Sequence, residues 1–244
     1  MATSRRYPKA PIVQAVIDLK VNEAFSEREL ERLRDRFKRQ FPSVEEKRNF
    51  KVELRTGTAV QQKSELAGFK MTAPNGADVV LINEASFGTV RLAPYDRWES
   101  FVEQAKENFN VFTGIVGRRS IVRIGVRFIN RLDIPDRLIS GEPLSKFLRV
   151  GISMPDDMTS VIGNFSFVAQ GTEEQTGTPF VLRCGIMSPV LIEHVSVQLD
   201  VDAYWNTDIP TRIDEMWAGT ERLRHAKNAV FEQSITDELR RLFE

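Results

Sequence analysis

The stretch RIGVRFINRLD, from Arg123 to Asp133, decides how this chain folds. Successive side chains of a β-strand point to opposite faces of a sheet, so a period of two sorts the residues. One face carries mainly apolar side chains: Ile124, Val126, Phe128 and Asn130. The other face carries three arginines: Arg123, Arg127 and Arg131. The stretch therefore predicts a strand of an antiparallel sheet with one face on a core and one face charged.

A second stretch, Val195 to Asp202, alternates in the same way. Valine and leucine occupy one face, and the other face carries Ser196, Gln198, Asp200 and Asp202. If both strands lie in one sheet, arginines and aspartates meet on its less apolar face. We call this set the Arg–Asp face, and it is the candidate ligand-binding site: Arg123, Arg127, Arg131, Asp200 and Asp202.

The Arg–Asp face has two interpretations. Arginine forks could bind an anionic ligand, or the paired carboxylates could bind a divalent ion. Alternatively, the face is a solvated or self-neutralising salt-bridge surface of an antiparallel sheet, which is the interpretation that we favour.

The first half of the chain predicts strand, helix, four short strands and helix. The strands are Ile12–Val21, Phe50–Arg55, Gly68–Ala73, Asp78–Asn83 and Phe87–Leu92. Ser26 and Glu29 form a capping-box pattern that begins the first helix, and Pro42 ends it. Asp96 and Glu99 repeat the pattern before a long amphipathic helix. Gly117 closes that second helix.

The second half predicts four strands and two principal helical segments. The strands are Ile121–Ile134, Val161–Gln170, Phe180–Met187 and His194–Tyr204. A short helical stretch follows Pro143, and Asp156 and Asp157 lie in a loop. Pro210 precedes a helix that runs through Phe231, and Ser234 or Thr236 caps a final short helix. We expect Lys227 and Asn228 of the longer helix at the surface or at an interface.

The order β-α-β-β-β-β-α followed by β-α-β-β-β-α predicts an α+β fold. We expect antiparallel sheets with helices packed on one face, in two topologically similar halves. Such an order matches TATA-binding-protein-like or ferredoxin-like layouts, and this analogy carries no function. The halves are residues 1–117 and 118–244, and no linker rich in glycine, serine or proline separates them. We therefore expect one compact unit.

Composition limits the class of protein. The 244 residues are 41% hydrophobic and 28% charged, which is typical of a globular protein. Lysine plus arginine equals aspartate plus glutamate at 34 each, so no net charge attracts nucleic acid or an anionic membrane. The single cysteine and the polar, basic N-terminus without an apolar run predict a cytoplasmic protein.

The common enzyme motifs are absent from the sequence. There is no G-x-x-x-x-G-K-S/T, G-x-G-x-x-G, G-x-S-x-G or H-E-x-x-H pattern. Two histidines and one cysteine leave no zinc cluster, so we expect no metal and no cofactor. Cys184 could serve as a nucleophile with a histidine, although a small core thiol is the simpler interpretation. The sequence favours a protein that is not an enzyme.

The first helix carries a row of arginines that we call the α1 arginine stripe: Arg28, Arg32, Arg36 and Arg39. At 100° per residue the row lies opposite Leu30, Leu33 and Phe37. It could contact a nucleic acid backbone. No aromatic residues interleave with the arginines, which weakens single-strand binding, and a solvated helix face is the commoner explanation.

Several motifs resemble a sporadically distributed prokaryotic family of uncharacterised conserved proteins of about this length. They are YP–PIVQA (7–15), LAPYDRW (92–98), RIGVRFINR (123–131), LDVD (199–202) and LR–KNAVF (223–231). The resemblance implies genes at mobile or defence-related loci and brings no activity with it. The stretch 136–157 departs most from the family pattern.

Three functional hypotheses follow. The first is a non-enzymatic binding protein, such as an accessory or antitoxin-like partner of a protein encoded nearby in a prokaryotic defence or stress locus. The second is an enzyme or sensor for a nucleotide or phosphorylated ligand at the Arg–Asp face. The third is a nucleic-acid binder that uses the α1 arginine stripe. A homodimer through an exposed strand or helix is compatible with all three, and no membrane contact is expected.

Overall fold

The protein has a mixed α/β fold with a large antiparallel sheet. The structure is a computed structural model that describes residues 5–53, 61–153, 155 and 164–244. The strands are β1 (Ile12–Val21), β2 (Ser43–Glu53), β3 (Gln61–Thr72), β4 (Asp78–Asn83), β5 (Ser86–Leu92), β6 (Ile121–Pro135), β7 (Ser166–Glu173), β8 (Thr178–Met187) and β9 (His194–Trp205). The helices are α1 (Glu27–Phe37), α2 (Trp98–Val116), α3 (Asp136–Ile139), α4 (Ile213–Ser234) and α5 (Asp237–Arg240).

The chain forms two compact units, and β1 and β6 contribute residues to both. One unit comprises residues 16–92 and 96–124, with the strand order β2-β3-β4-β5-β1-β6. The other comprises residues 1–15, 93–95 and 125–244, with the order β1-β6-β9-β8-β7. The sequence predicted two halves, residues 1–117 and 118–244, within one compact unit. That division stays a prediction.

The core of the second unit lies between the long helix α4 and the strands β6, β8 and β9. The alternating apolar residues of β6 and β9 form its floor, including Leu132, Ile134, Val197, Leu199 and Val201. Val230, Phe231 and Ile235 cover them from the last helical turns. Full burial of each such side chain stabilises the fold by about 1.5–3 kcal/mol. The apolar faces that the sequence predicts for the two strands and for the long helix therefore pack in one core.

The core of the first unit is rich in phenylalanine. Leu30, Leu33 and Phe37 form the buried face of α1, as their spacing predicts. The rings of Phe87 and Phe112 stack with centroids 4.7 Å apart. The capping box of α1 is confirmed, because Ser26 Oγ accepts from Glu29 N and Glu29 Oε2 accepts from Ser26 N at 2.8 Å.

Two predicted helix ends are wrong. Helix α1 ends at Phe37 rather than at Pro42, so Arg39 lies beyond it. The second capping box does not form, since Arg97 is the N-cap of α2 and makes no side-chain cap hydrogen bond. The carboxylate of Asp96 accepts instead from Arg91 Nη1 at 2.9 Å and from Ser100 Oγ at 2.8 Å.

Strand starts and short helices also differ from expectation. β2 begins at Ser43 and β3 at Gln61, both earlier than predicted, because their charged residues hide the apolar alternation. The stretch after Pro143 is a 3-10 turn over Leu144–Lys146, and α3 was not predicted. Asp156, Asp157 and residues 161–163 of the predicted strand lie outside the described residues, as do 54–55 of the strand at Phe50–Arg55.

A β-bulge interrupts the pairing of β2 with β3. Lys47 pairs with Gly68 and Arg48 pairs with Leu66, so Ala67 is the extra residue. Gly68 has φ of 147°, and a Cβ atom there would overlap the carbonyl oxygen of Ile82 on β4. Only glycine allows β4 to approach the bulge this closely.

The variant Gly68→Ala should lower the free energy of unfolding by about 2 kcal/mol or more, since the new methyl group overlaps backbone. The control Gly114→Ala lies in α2 with no atom within 4 Å of the added carbon. It should raise stability by about 0.5–1 kcal/mol. Urea denaturation measures both, and equal stabilities of Gly68→Ala and wild type would contradict the assigned backbone conformation.

Candidate functional site

Arg127 and Asp200 meet on the Arg–Asp face, as their strand positions predict. Arg127 Nε donates to Asp200 Oδ1 at 2.8 Å, and Arg127 Nη2 donates to Oδ2 at 2.6 Å. The Asp200 side chain is 0% exposed, while that of Arg127 is 35% exposed. Arg183 on β8 adds a longer bond, from Nη1 to Oδ2 at 3.4 Å. Asp200 is thus a buried carboxylate held by two guanidinium groups.

The other two arginines of the Arg–Asp face bind different carboxylates. Arg131 Nε donates to Asp133 Oδ2 at 2.9 Å, and Ser196 Oγ donates to Asp133 Oδ1 at 2.5 Å. Arg123 Nη1 donates to Asp18 Oδ2 at 2.7 Å, and both residues belong to the compact unit of residues 16–92 and 96–124. These two ion pairs involve Asp133 and Asp18, which are carboxylates outside the predicted set.

Asp202 is the remaining member of the Arg–Asp face. It is buried on β9 and lies opposite Val181 in the register with β8. A divalent ion at Asp200 and Asp202 would lie close to the guanidinium groups of Arg127 and Arg183, which already bind the Asp200 carboxylate. The ion pairs of Arg123, Arg127 and Arg131 are those that a self-neutralising salt-bridge surface requires, and the ligand-binding interpretation stays a prediction.

The α1 arginine stripe is exposed along its whole length. None of Arg28, Arg32, Arg36 and Arg39 forms an ion pair with a described residue. The carboxylates of Glu31 and Asp35 are exposed on the same helix. Since negative side chains alternate with the arginines, the surface is mixed in charge rather than a continuous basic track.

Lys227 is a buried cation that the sequence placed at the surface or at an interface. It is 5% exposed, and its ammonium nitrogen lies 3.5 Å from the centre of the Phe128 ring. Among the described residues it forms no ion pair. Burial, and then the charge of Arg224, lower the pKa of Lys227 from 10.5 to about 7, and Glu232 opposes this. Lys227 lies four residues after Leu223 and three before Val230, and this spacing, which puts all three on one face of α4, could have predicted its burial.

Cys184 is buried on β8, where burial raises the pKa of its thiol to about 11. A thiol with a raised pKa stays protonated near neutral pH, and the thiolate is the nucleophile in cysteine catalysis. The surroundings of Cys184 therefore favour a core thiol over a nucleophile.

The strand β7 is an edge strand, because β8 is its only hydrogen-bonded neighbour among the described residues. Seven consecutive residues, Ser166–Thr172, carry no charge, and most of their side chains are exposed. We call this segment the β7 edge. By contrast β2, the outer strand of the other unit, carries four consecutive charges: Glu45, Glu46, Lys47 and Arg48. Charged side chains are a common protection of edge strands, and the β7 edge lacks them.

Hydrogen bonds fix both ends of the β7 edge, and an exposed apolar loop lies next to one end. The buried carboxylate of Glu173 fixes the turn into β8 by accepting from the backbone N–H groups of Gln175 at 3.1 Å and Thr176 at 2.8 Å. At the other end, Ile186 N donates to Phe165 O, just before the loop from β8 to β9. That loop exposes three consecutive apolar side chains: Val190 at 65%, Leu191 at 48% and Ile192 at 90%.

Comparisons with known proteins do not assign the chain to a family or a function. No protein-family model matches the chain, and no curated protein matches its sequence. Among the described residues, no helix has the length and apolar character needed to cross a membrane.

The variant Arg127→Ala should lower the free energy of unfolding by about 2–3 kcal/mol, because it leaves the buried Asp200 carboxylate short of two hydrogen bonds. The control Arg28→Ala removes an exposed arginine of the α1 arginine stripe and should change stability by less than about 0.5 kcal/mol. Chemical denaturation of both proteins tests the structural role, which an equally small effect of Arg127→Ala would contradict.

The variant Lys227→Met should be more stable than wild type at pH 6, by an amount on the order of a few kcal/mol. The pKa of Lys227 in the folded protein is about 7, which is below the ordinary lysine pKa of 10.5. Between pH 7 and pH 10.5 this lysine is therefore protonated more fully in the unfolded chain than in the folded one. The cost of burying Lys227 is therefore full below pH 7 and fades as pH rises toward 10.5. Denaturation across pH 6–10 should show the gap between variant and wild type closing.

The matched control for that experiment is Lys106→Met, which changes an exposed lysine of α2. Its stability difference from wild type should not change with pH. A stability difference between Lys227→Met and wild type that stays constant from pH 6 to pH 10 would contradict the lowered pKa of Lys227.

Proposed function

We propose that this protein is a non-enzymatic binding protein that attaches to an extended segment of another polypeptide by strand addition at the β7 edge. The observation that carries the proposal is the uncharged, exposed edge strand Ser166–Thr172. An edge strand offers a row of backbone N–H and C=O groups to an incoming strand. Recognition domains use such edges to bind extended peptides through main-chain hydrogen bonds.

The contrast between the outer strands of the two units supports this site. Charges on β2 oppose the docking of a foreign strand, whereas a partner approaching β7 meets Val168, Ala169 and Gln170. A strand that folds in water without protection and without a use would be a site of aggregation. A partner that covers it accounts for its composition.

The exposed apolar loop supplies side-chain contacts next to this edge. Val190, Leu191 and Ile192 follow the end of β8 that pairs with the start of β7. Contiguous exposed apolar residues of this kind mark interaction surfaces. The expected partner is therefore a chain with an extended segment whose alternate side chains are apolar.

The structure offers no comparable support for the other two hypotheses at their predicted positions. The arginines of the Arg–Asp face bind the carboxylates Asp200, Asp133 and Asp18. The α1 arginine stripe is interrupted by Glu31 and Asp35. The TATA-binding-protein-like or ferredoxin-like layout, the prokaryotic family, the cytoplasmic location and a homodimer stay predictions, as does a partner encoded by a neighbouring gene.

Binding to individually purified products of the neighbouring genes tests the proposal. The double variant Val168→Lys/Gln170→Lys places two charges on exposed positions of the β7 edge and should weaken binding at least tenfold. The control Val122→Lys adds a charge to an exposed valine of β6, which is flanked by two strands. Biolayer interferometry should give the control a Kd within twofold of wild type.

Two outcomes would count against strand addition at β7. One is a partner whose affinity is the same for the double variant and wild type. The other is the absence of binding to every neighbouring product by a wild-type protein that circular dichroism shows to be folded. Sedimentation velocity on wild type alone determines whether a second copy occupies the edge instead, since self-association would then be lost in the double variant.

A further inference from the structure

An open cleft of about 440 Å³ lies within the compact unit of residues 16–92 and 96–124. We call it the lysine cleft. Its polar lining comprises Lys20, Lys47, Asn49, Asn83, Glu84 and Ser86. The volume falls within the range of about 300–1,000 Å³ that is common for small-molecule sites. Neither the sequence motifs nor the β7 edge involves these residues.

The β-bulge between β2 and β3 forms part of the wall of this cleft. Ala67, the extra residue of the bulge, lines it, and Lys47 lies at the point where the register shifts. Bulges are common beside functional sites because they re-aim side chains. The same bulge requires glycine at position 68, because a Cβ atom there would overlap the carbonyl oxygen of Ile82.

Lys47 is oriented by a chain of hydrogen bonds within the cleft. Lys47 Nζ donates to Asn83 Oδ1 at 2.8 Å, and Asn83 Nδ2 donates to Ser86 Oγ at 2.9 Å. Two N–H bonds of the Lys47 ammonium group remain for another acceptor. The Ser86 oxygen accepts from Asn83, which leaves its hydroxyl proton for donation.

The charge of the cleft is positive. Lys20 and Lys47 form no ion pair with a described residue, and Lys20 is exposed. Glu84 is the one carboxylate in the lining, and it accepts from Asn49 Nδ2 at 2.5 Å. Burial, and then the nearby charge of Lys70, lower the pKa of Lys47. An anion in the cleft would relieve the unfavourable environment of this ammonium group.

We propose that the lysine cleft binds the phosphate group of a small phosphorylated ligand, with Lys20, Lys47 and Ser86 as its donors. Lysine is a common point-charge partner of phosphate, and phosphate oxygens accept several hydrogen bonds at once. The remaining volume accommodates an organic group attached to the phosphate. This site is independent of strand addition at β7, because no residue belongs to both.

Isothermal titration calorimetry with AMP, inorganic phosphate and adenosine tests the proposal on the full-length protein. AMP and inorganic phosphate should bind, and adenosine should not. Lys47→Gln and Lys20→Gln should each weaken AMP binding at least tenfold. The control Lys106→Gln, an exposed lysine of α2 in the same unit, should bind AMP within twofold of wild type. Lys20→Gln changes an exposed side chain, so its result stands even if Lys47→Gln fails to fold.

The proposal is overturned if neither AMP nor inorganic phosphate binds to the wild-type protein. It is also overturned if adenosine binds as tightly as AMP, since the phosphate would then contribute nothing. Equal affinities of wild type and Lys20→Gln for AMP would place any bound phosphate outside the lysine cleft.

Discussion

The carboxylate of Asp200 has no exposed surface, and the guanidinium group of Arg127 holds both of its oxygens. Burial of an unpaired carboxylate costs several kcal/mol, so this pair lets β9 carry aspartate on one face while Leu199 and Val201 pack under α4 on the other. Arg183 on β8 reaches the same carboxylate, and two ion pairs to Asp200 therefore join three strands. The arginines Arg127, Arg131 and Arg123 of this charged face thus each hold a carboxylate of the protein itself.

The two outer strands differ in how well their side chains protect them from pairing with another chain. β2 carries charge along its length, while the β7 edge carries none. Both are outer strands of their units, so the difference is one of composition and not of topology. The lysine cleft lies beside an irregular strand pair, since the bulge at Ala67 shifts the β2–β3 register next to Lys47. In both cases a departure from regular, protected sheet marks the place where binding is proposed.

Much of the fold follows from local pattern. The bounds of β1 and β4 agree with expectation because both strands are rich in apolar residues and have polar residues beyond their ends. The start of β2 could not be predicted, since its charged residues resemble a loop until a partner strand is present. Asp96 fails as a helix cap because Arg91, five residues earlier, binds its carboxylate. Lys227 was expected near the surface, but α4 lies on the sheet with Phe128 beneath this position.

Local sequence pattern was enough to predict the apolar face of α1, the residue at which α1 begins and the residues of β6 and β9 that share the charged face. These features follow from backbone periods of 3.6 and 2 and from hydrogen bonds between near neighbours. The tertiary structure was needed to show that Arg127 on β6 binds Asp200 on β9, that β7 is an edge and that Lys47 lines a cleft. Those features depend on strand order and register between residues far apart in the chain, and no local pattern encodes them.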